Sequence, residues 1–293
     1  MSRHVSKASA ARPRASARAA ATRAPANARP ARSGAPRILV LCAAGTNCDR
    51  ETGFAFTQAG AEAVPLHVNE LVKRPAALDD FQGLVIPGGF SHGDDLGAGT
   101  VLGTRIRTHL VPAIRRLVDR GGVVLGICNG FQVLVKTGLV PGFDGGLERT
   151  VTLAKNASNR YEDRWVTLEV TTDRSAFLRR GERYHVPVAH AEGRLLPLDE
   201  ATRKRLHADH QVAVRYVGTD GSHPAAYPAN PNGAVDDIAG ITDPTGRILG
   251  LMPHPERHQF PWQSPRFHRD GAAEVPDGLR MFQHAVEHLK KAF

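Results

Sequence analysis

The sequence has 293 residues, 41% of them hydrophobic, and a formal net charge of +9. That length and apolar share suffice for a substantial core in one large domain or two small ones. The charge does not mark a nucleic-acid surface. Of the 38 Lys/Arg, eight lie in residues 1–36 beside no Asp or Glu, which leaves 30 basic against 29 acidic residues for the rest.

The basic segment, residues 1–36, is rich in Ala, Arg, Ser and Pro and nearly free of large apolar side chains. It cannot bury enough surface to offset its ordering entropy, so it reads as a disordered extension. It lacks the apolar stretch of a secretory signal. Composition also allows an organelle transit segment, a basic interaction arm, or a start placed too far upstream. No run of 18 apolar residues occurs, which argues against a transmembrane helix. Cys42, Cys48 and Cys128 are too few for a disulfide framework, and a reducing, cytoplasmic setting is the simpler reading.

After Pro36 the pattern changes. "RILVLCAAG" predicts a buried strand followed by a loop. "NCDRETGFAFTQAG" has helical spacing and ends at Gly60. "AVPLHV" and "GLVIPGG" predict a second and a third strand. Residues 100–119 read as helical, with a break at Pro112. "GGVVLGI" predicts a fourth strand, and "NGFQVLVKTG" a helix ending at Gly138. Apolar strands alternating with amphipathic helices imply a mainly parallel open sheet covered by helices on both faces, an α/β fold.

From about residue 150 the texture becomes β-rich. "RWVTLEVTT", "YHVPVAH" and "QVAVRYV" have strand character, and "DIAGITDPTGRILGLMPH" predicts two strands joined at Asp243-Pro244-Thr245-Gly246. "DGLRMFQHAVEHLKKAF" predicts a closing amphipathic helix. No repeat and no long linker divides residues 37–293, so one domain is expected there.

The chemistry concentrates in "VLGICNGFQVL", residues 124–134. A nucleophile on a tight strand-to-helix turn needs small neighbours, and Gly126-Ile127-Cys128-Asn129-Gly130 supplies them. The N-terminus of the following helix would face the sulfur and favour negative charge there. "LMPHPER", residues 251–257, offers His254 as a base for Cys128 and Glu256 to orient its imidazole. In an extended segment these two residues would share a side. His254 and His258 also suggest a metal pair, but Pro253 and Pro255 argue against the helix it needs, and no metal is expected. "IPGGFSHGDDLGAG", residues 86–99, places glycines after a strand. There an amide near Gly89, with that of Asn129, could receive an oxyanion. No Gly-Lys-Ser/Thr follows, which weakens a phosphate-loop reading.

Together these blocks resemble the class I (triad) glutamine amidotransferases, whose sheet is flavodoxin-like. The broad resemblance rests on "GICNGFQVL" and "PHPE" and covers about residues 37–290. "GTNCDRE", "PGGFSHGDDLGAG", "PVAHAEGR" and "NPNGAVDDIAGI" resemble more narrowly the glutaminase subunits of phosphoribosylformylglycinamidine synthase. The resemblance implies that Cys128 is the nucleophile, His254 the base and Glu256 its orienter. It also implies oxyanion-hole amides at Gly89 and Asn129 and a substrate contact at Gln132. It further implies a glutamine substrate and no cofactor in this chain. ATP and Mg²⁺ would belong to a separate synthetase subunit, PurL, alongside a small subunit, PurS, with no nucleic-acid or membrane partner. "PVAHAEGR" reads as lying near the active-site rim, its His190 and Glu192 either as a second acid/base pair or as interface or scaffold residues, and Cys42 and Cys48 read as structural. The chain departs from the family at His92, usually Tyr, and at Ala191, commonly Gly. A stand-alone cysteine hydrolase or peptidase and a non-catalytic binding subunit are the competing readings. The narrow-family blocks disfavour the first, and the complete Cys-His-Glu set disfavours the second.

Deleting residues 1–35 should leave the melting temperature and the activity nearly unchanged, because that composition builds no core. A drop of several degrees in a thermal melt would overturn this.

Overall fold

The first apolar run does become a strand, β1 (Arg37–Cys42), four of whose six residues are buried. The computed structural model describes residues 34–218, 220–271 and 275–293. The expectation for the basic segment falls almost wholly outside them. Residues Ala35–Phe293 form one compact unit.

After β1 come α1 (Asp49–Gln58), β2 (Glu62–His67), α2 (Val68–Lys73) and β3 (Gly83–Ile86). Then follow α3 (Thr100–His109), α4 (Val111–Asp119), β4 (Val123–Ile127) and α5 (Asn129–Thr137). Every residue of β3 and β4 is buried, as central parallel strands require. The exposed β2 lies at the sheet edge and tolerates Pro65 there. The expected helix over 100–119 is two helices. The break falls at Leu110 rather than Pro112, which sits in the first turn of α4 where no intrahelical N–H partner is lost.

The second half contributes β5 (Val151–Lys155), β6 (Glu162–Val170), β7 (Arg183–His190) and β8 (Glu192–Pro197). It continues with α6 (Glu200–Ala208), β9 (Val212–Val217), β10 (Ile238–Thr242), β11 (Ile248–Leu251), α7 (Phe267–Asp270) and α8 (Asp277–Ala292). The nine-stranded sheet runs β2-β1-β3-β4-β11-β10-β9-β6-β7. It is parallel from β2 to β11 and antiparallel from β11 to β7. The β-rich portion is thus mostly an extension of the same sheet, and β5 with β8 forms a separate pair.

Two features position the site. β11 lies parallel to β4 with Leu251 opposite Ile127, and the Cys128 amide donates to the Leu251 carbonyl at 2.8 Å. "PHPE" therefore leaves the sheet beside the turn that carries Cys128. The β10–β11 turn that feeds β11 is tied by Asp243, whose carboxylate accepts from the amides of Thr245, Arg247 and Ile248. On the far side α8 buries Met281, Phe282, Ala285, Val286 and Leu289, one apolar face at helical spacing. Its Gly278 packs on the Pro255 and His258 carbonyls with no room for a Cβ.

Candidate active site

Cys128 sits between β4 and α5 with φ 51° and ψ −104°, a backbone conformation costly for a non-glycine residue. The glycines on either side make it possible. A Cβ on Gly126 would lie 2.6 Å from the Gly130 carbonyl oxygen, and one on Gly130 would strike the Ile86 carbonyl. Backbone therefore packs on backbone under the turn, and the expected elbow is present. Cys128 is 5% exposed, and its sulfur stands 3.8 Å from the Ala189 carbonyl.

His254 is buried, and its amide is fixed by the Pro187 carbonyl at 2.8 Å. Its Nδ1 meets the Glu256 carboxylate at 2.6 Å. The pairing matches expectation, but an extended segment does not create it. Pro255–Arg257 form a short 3-10 turn, which folds Glu256 back onto the ring. Burial disfavours the imidazolium, yet the Glu256 carboxylate and then the Cys128 sulfur outweigh it and hold His254 well above its ordinary pKa. Nε2 and the second Glu256 oxygen have no hydrogen-bond partner among the described residues.

Gly88 brings the parts together. A Cβ there would lie 2.8 Å from His254 Cε1, 3.2 Å from Cys48 Sγ and 3.5 Å from Cys128 Cβ. Buried Cys48 thus lies next to His254 and Cys128 around Gly88. Its sulfur lies 3.2 Å from Asn47 Oδ1 and accepts from Arg257 Nη2 at 3.2 Å. Donor atoms of Cys48, His254 and Glu256 lie within 4.8 Å of one another. The Arg257 cation at Cys48 and the engaged Nδ1 of His254 oppose a metal ion there. His258 turns away and donates Nδ1–H to the His185 carbonyl at 2.8 Å.

A cavity of about 160 Å³ opens beside Cys128 and His254. Gly89, Gln132, Tyr161, His190 and Arg257 also line it. The Gly89 and Asn129 amides appear in none of the turn and loop hydrogen bonds among the described residues. Gly89 has φ +135°, and a Cβ there would meet the Asn47 amide nitrogen at 2.7 Å, so only glycine fits. Gln132 donates Nε2–H to the Glu192 carbonyl at 2.7 Å and accepts from Asn129 Nδ2 at 3.0 Å. Asn129 reaches onward to Asp94 and to the Ser91 amide, tying the glycine loop to α5. Burial raises the Asp94 carboxyl above its ordinary range. His92, one departure from the family pattern, adopts φ 54° on that loop, and the Ala191 carbonyl accepts from the Asn156 amide. Sequence reasoning did not single out Tyr161, Arg257 or Asn156. Only Arg257 carried a signal, its place directly after "PHPE".

A thiol at a strained strand-to-helix turn, a buried imidazole beside it and a carboxylate behind that imidazole, all at the carboxyl ends of a parallel sheet, are the parts of a class I glutamine amidotransferase. Residues 35–289 match the CobB/CobQ-like glutamine amidotransferase domain. The phosphoribosylformylglycinamidine synthase subunit PurQ of Dehalococcoides mccartyi is 46% identical over 254 residues, covering 86% of this chain and 96% of that one. Its counterpart from Methanococcus maripaludis strain S2 is 40% identical over 270 residues, covering 87% and 98%. A chain in the structure of PurLQS from Thermotoga maritima superposes with a TM-score of 0.65 at 30% identity, covering 87% and 99%. The chain belongs to the glutamine amidotransferase family and, within it, to the PurQ subunits.

Gly88→Ala would drive a methyl group between Cys48, Cys128 and His254. It should slow carbamidomethylation of Cys128 by iodoacetamide, followed by peptide mass spectrometry, by roughly tenfold or more, since a 1 Å misplacement can cost on the order of 100-fold. An unchanged rate would mean that His254 does not serve the sulfur.

Proposed function

We propose that the chain is the glutaminase subunit of phosphoribosylformylglycinamidine synthase. It hydrolyses glutamine to glutamate and ammonia and delivers the ammonia to a synthetase subunit. The observation that carries the reading is the 2.6 Å His254–Glu256 pair set beside the Cys128 turn. The small cavity supports a single amino acid as substrate rather than a peptide.

In this reading the Cys128 sulfur attacks the side-chain carbonyl of glutamine while His254 takes its proton. The carbonyl oxygen becomes an oxyanion within reach of the Gly89 and Asn129 amides. His254 returns the proton to the nitrogen, the C–N bond breaks and ammonia leaves. Water then attacks the thioester with His254 as base, glutamate departs and the thiol is restored. Glu256 fixes the ring with Nε2 toward the sulfur and stabilises the imidazolium. Gln132, bound at both ends, shapes the cavity and holds Glu192 beside the substrate. The partners are the synthetase PurL and the small subunit PurS. PurL would use ATP and Mg²⁺ to convert formylglycinamide ribonucleotide to formylglycinamidine ribonucleotide in purine synthesis. A cytoplasmic location is part of the same proposal. No helix among the described residues is long and apolar enough to cross a membrane.

In the complex, Cys128→Ser should abolish glutamine-dependent synthesis and leave ammonia-dependent synthesis intact, because the synthetase chemistry lies elsewhere. Near wild-type use of glutamine would remove Cys128 from the mechanism.

His254→Ala should cut ammonia release at saturating glutamine by roughly 10²–10⁴-fold, the scale of general base catalysis. Glu256→Ala should cut it less, and the double variant should be little worse than His254→Ala, since the carboxylate acts through the ring. Multiplicative losses in the same assay would show that the two residues do not work as a unit.

A further inference from the structure

His190 closes β7 at the cavity and is 3% exposed. Its surroundings fix both its protons and its orientation. The Asn156 amide group donates to the Arg160 carbonyl at 2.9 Å and to the His190 carbonyl at 2.8 Å. Both amide hydrogens are thereby used, so the Asn156 oxygen, 3.1 Å from His190 Nδ1, must be an acceptor. Nδ1 therefore carries the hydrogen and Nε2 carries a lone pair. His190 lines the cavity, and Asn156, its partner at Nδ1, does not. Gly193 gives the ring a flat seat: a Cβ there would come within 2.6–3.0 Å of Cε1, Nδ1 and Nε2. Burial, reinforced by the nearby His254, lowers the imidazole pKa to about 3, so the ring stays neutral at any working pH. Nε2 is buried and has no hydrogen-bond partner among the described residues.

A buried lone pair without a donor costs free energy unless a ligand supplies one. Glutamine offers N–H groups at its α-ammonium and at its carboxamide. The ammonium is better matched by the carboxylates that line the cavity, Asp94 and Glu192. His190 instead adjoins the reacting end, because the carbonyl of the preceding Ala189 lies 3.8 Å from the Cys128 sulfur. We infer that His190 Nε2 accepts a hydrogen bond from the carboxamide N–H of bound glutamine and so selects an amide over an acid or ester. The inference rests on the glutaminase reading above. The bond strengthens when His254 protonates the departing nitrogen, whose N–H groups then become better donors, so the stabilisation is greatest where the barrier lies. The product glutamate has no such N–H and meets a lone pair, which favours its release.

The test uses the full chain in complex with its synthetase and small subunit, with two substrates: glutamine and γ-glutamyl methyl ester. The ester forms the same thioester but has no N–H on its leaving group. His190→Leu fills the space without an acceptor. It should lower kcat/KM for glutamine by about 10- to 100-fold, the worth of one buried hydrogen bond near charge, and leave ester turnover within a few-fold of wild type. His190→Gln, whose carboxamide oxygen can accept, should recover part of the amide activity. Equal losses on both substrates, whether from misfolding or from a role at the α-ammonium, would overturn the inference. So would undiminished glutamine turnover in His190→Leu. A wild-type complex that releases no ammonia from glutamine would instead overturn the glutaminase reading itself, and this inference with it.

Discussion

The pairing of β11 with β4 is the constraint on which the site depends. These strands are more than 120 residues apart in sequence, yet their parallel ladder sets Leu251 against Ile127 and joins Cys128 to the Leu251 carbonyl. A slip of one residue would turn every side chain of β11 to the opposite face. Such slippage is resisted because Phe131 of α5 packs on Gly250, which has no room for a Cβ, so no other residue of β11 fits there. Backbone pairing and this close packing, rather than any contact between the reactive groups, bring sulfur and imidazole together.

The strained turn at Cys128 costs on the order of 1–3 kcal/mol. That cost persists because packing around it leaves no relaxed alternative. Gly130 lies on the Ile86 carbonyl, Gly126 on Gly130, and the buried Phe131 anchors the first turn of α5 in the core. Relaxing the φ angle would require these layers to separate. The same layers hold buried Cys128 in the wall of a small cavity.

The parallel half was legible because fully buried strands read as unbroken apolar runs, and "GLVI" and "VVLGI" do. The elbow was legible because its glycines are sterically obligatory. In "PHPE" the expected pairing of His254 with Glu256 is present, but a turn, not strand periodicity, folds the carboxylate onto the ring. β5 and β8 gave no comparable signal, since their faces are only partly buried. Nor could the sequence show that Cys48 faces Arg257 or that Asn156 clamps His190. Those contacts span 209 and 34 residues and depend on loops whose paths no local periodicity encodes.

The strand order also bears on the protein's birth. β11 lies at the centre of the sheet but is among the last strands to leave the ribosome, and α8, which seats Gly278 on the Pro255 carbonyl, follows it. Until then one edge of β4 keeps its N–H and C=O groups unpaired, a surface prone to wrong partners. The nascent chain meanwhile carries its thiol without the imidazole. It cannot spend the cell's glutamine before its own synthesis has passed the residues that govern that chemistry.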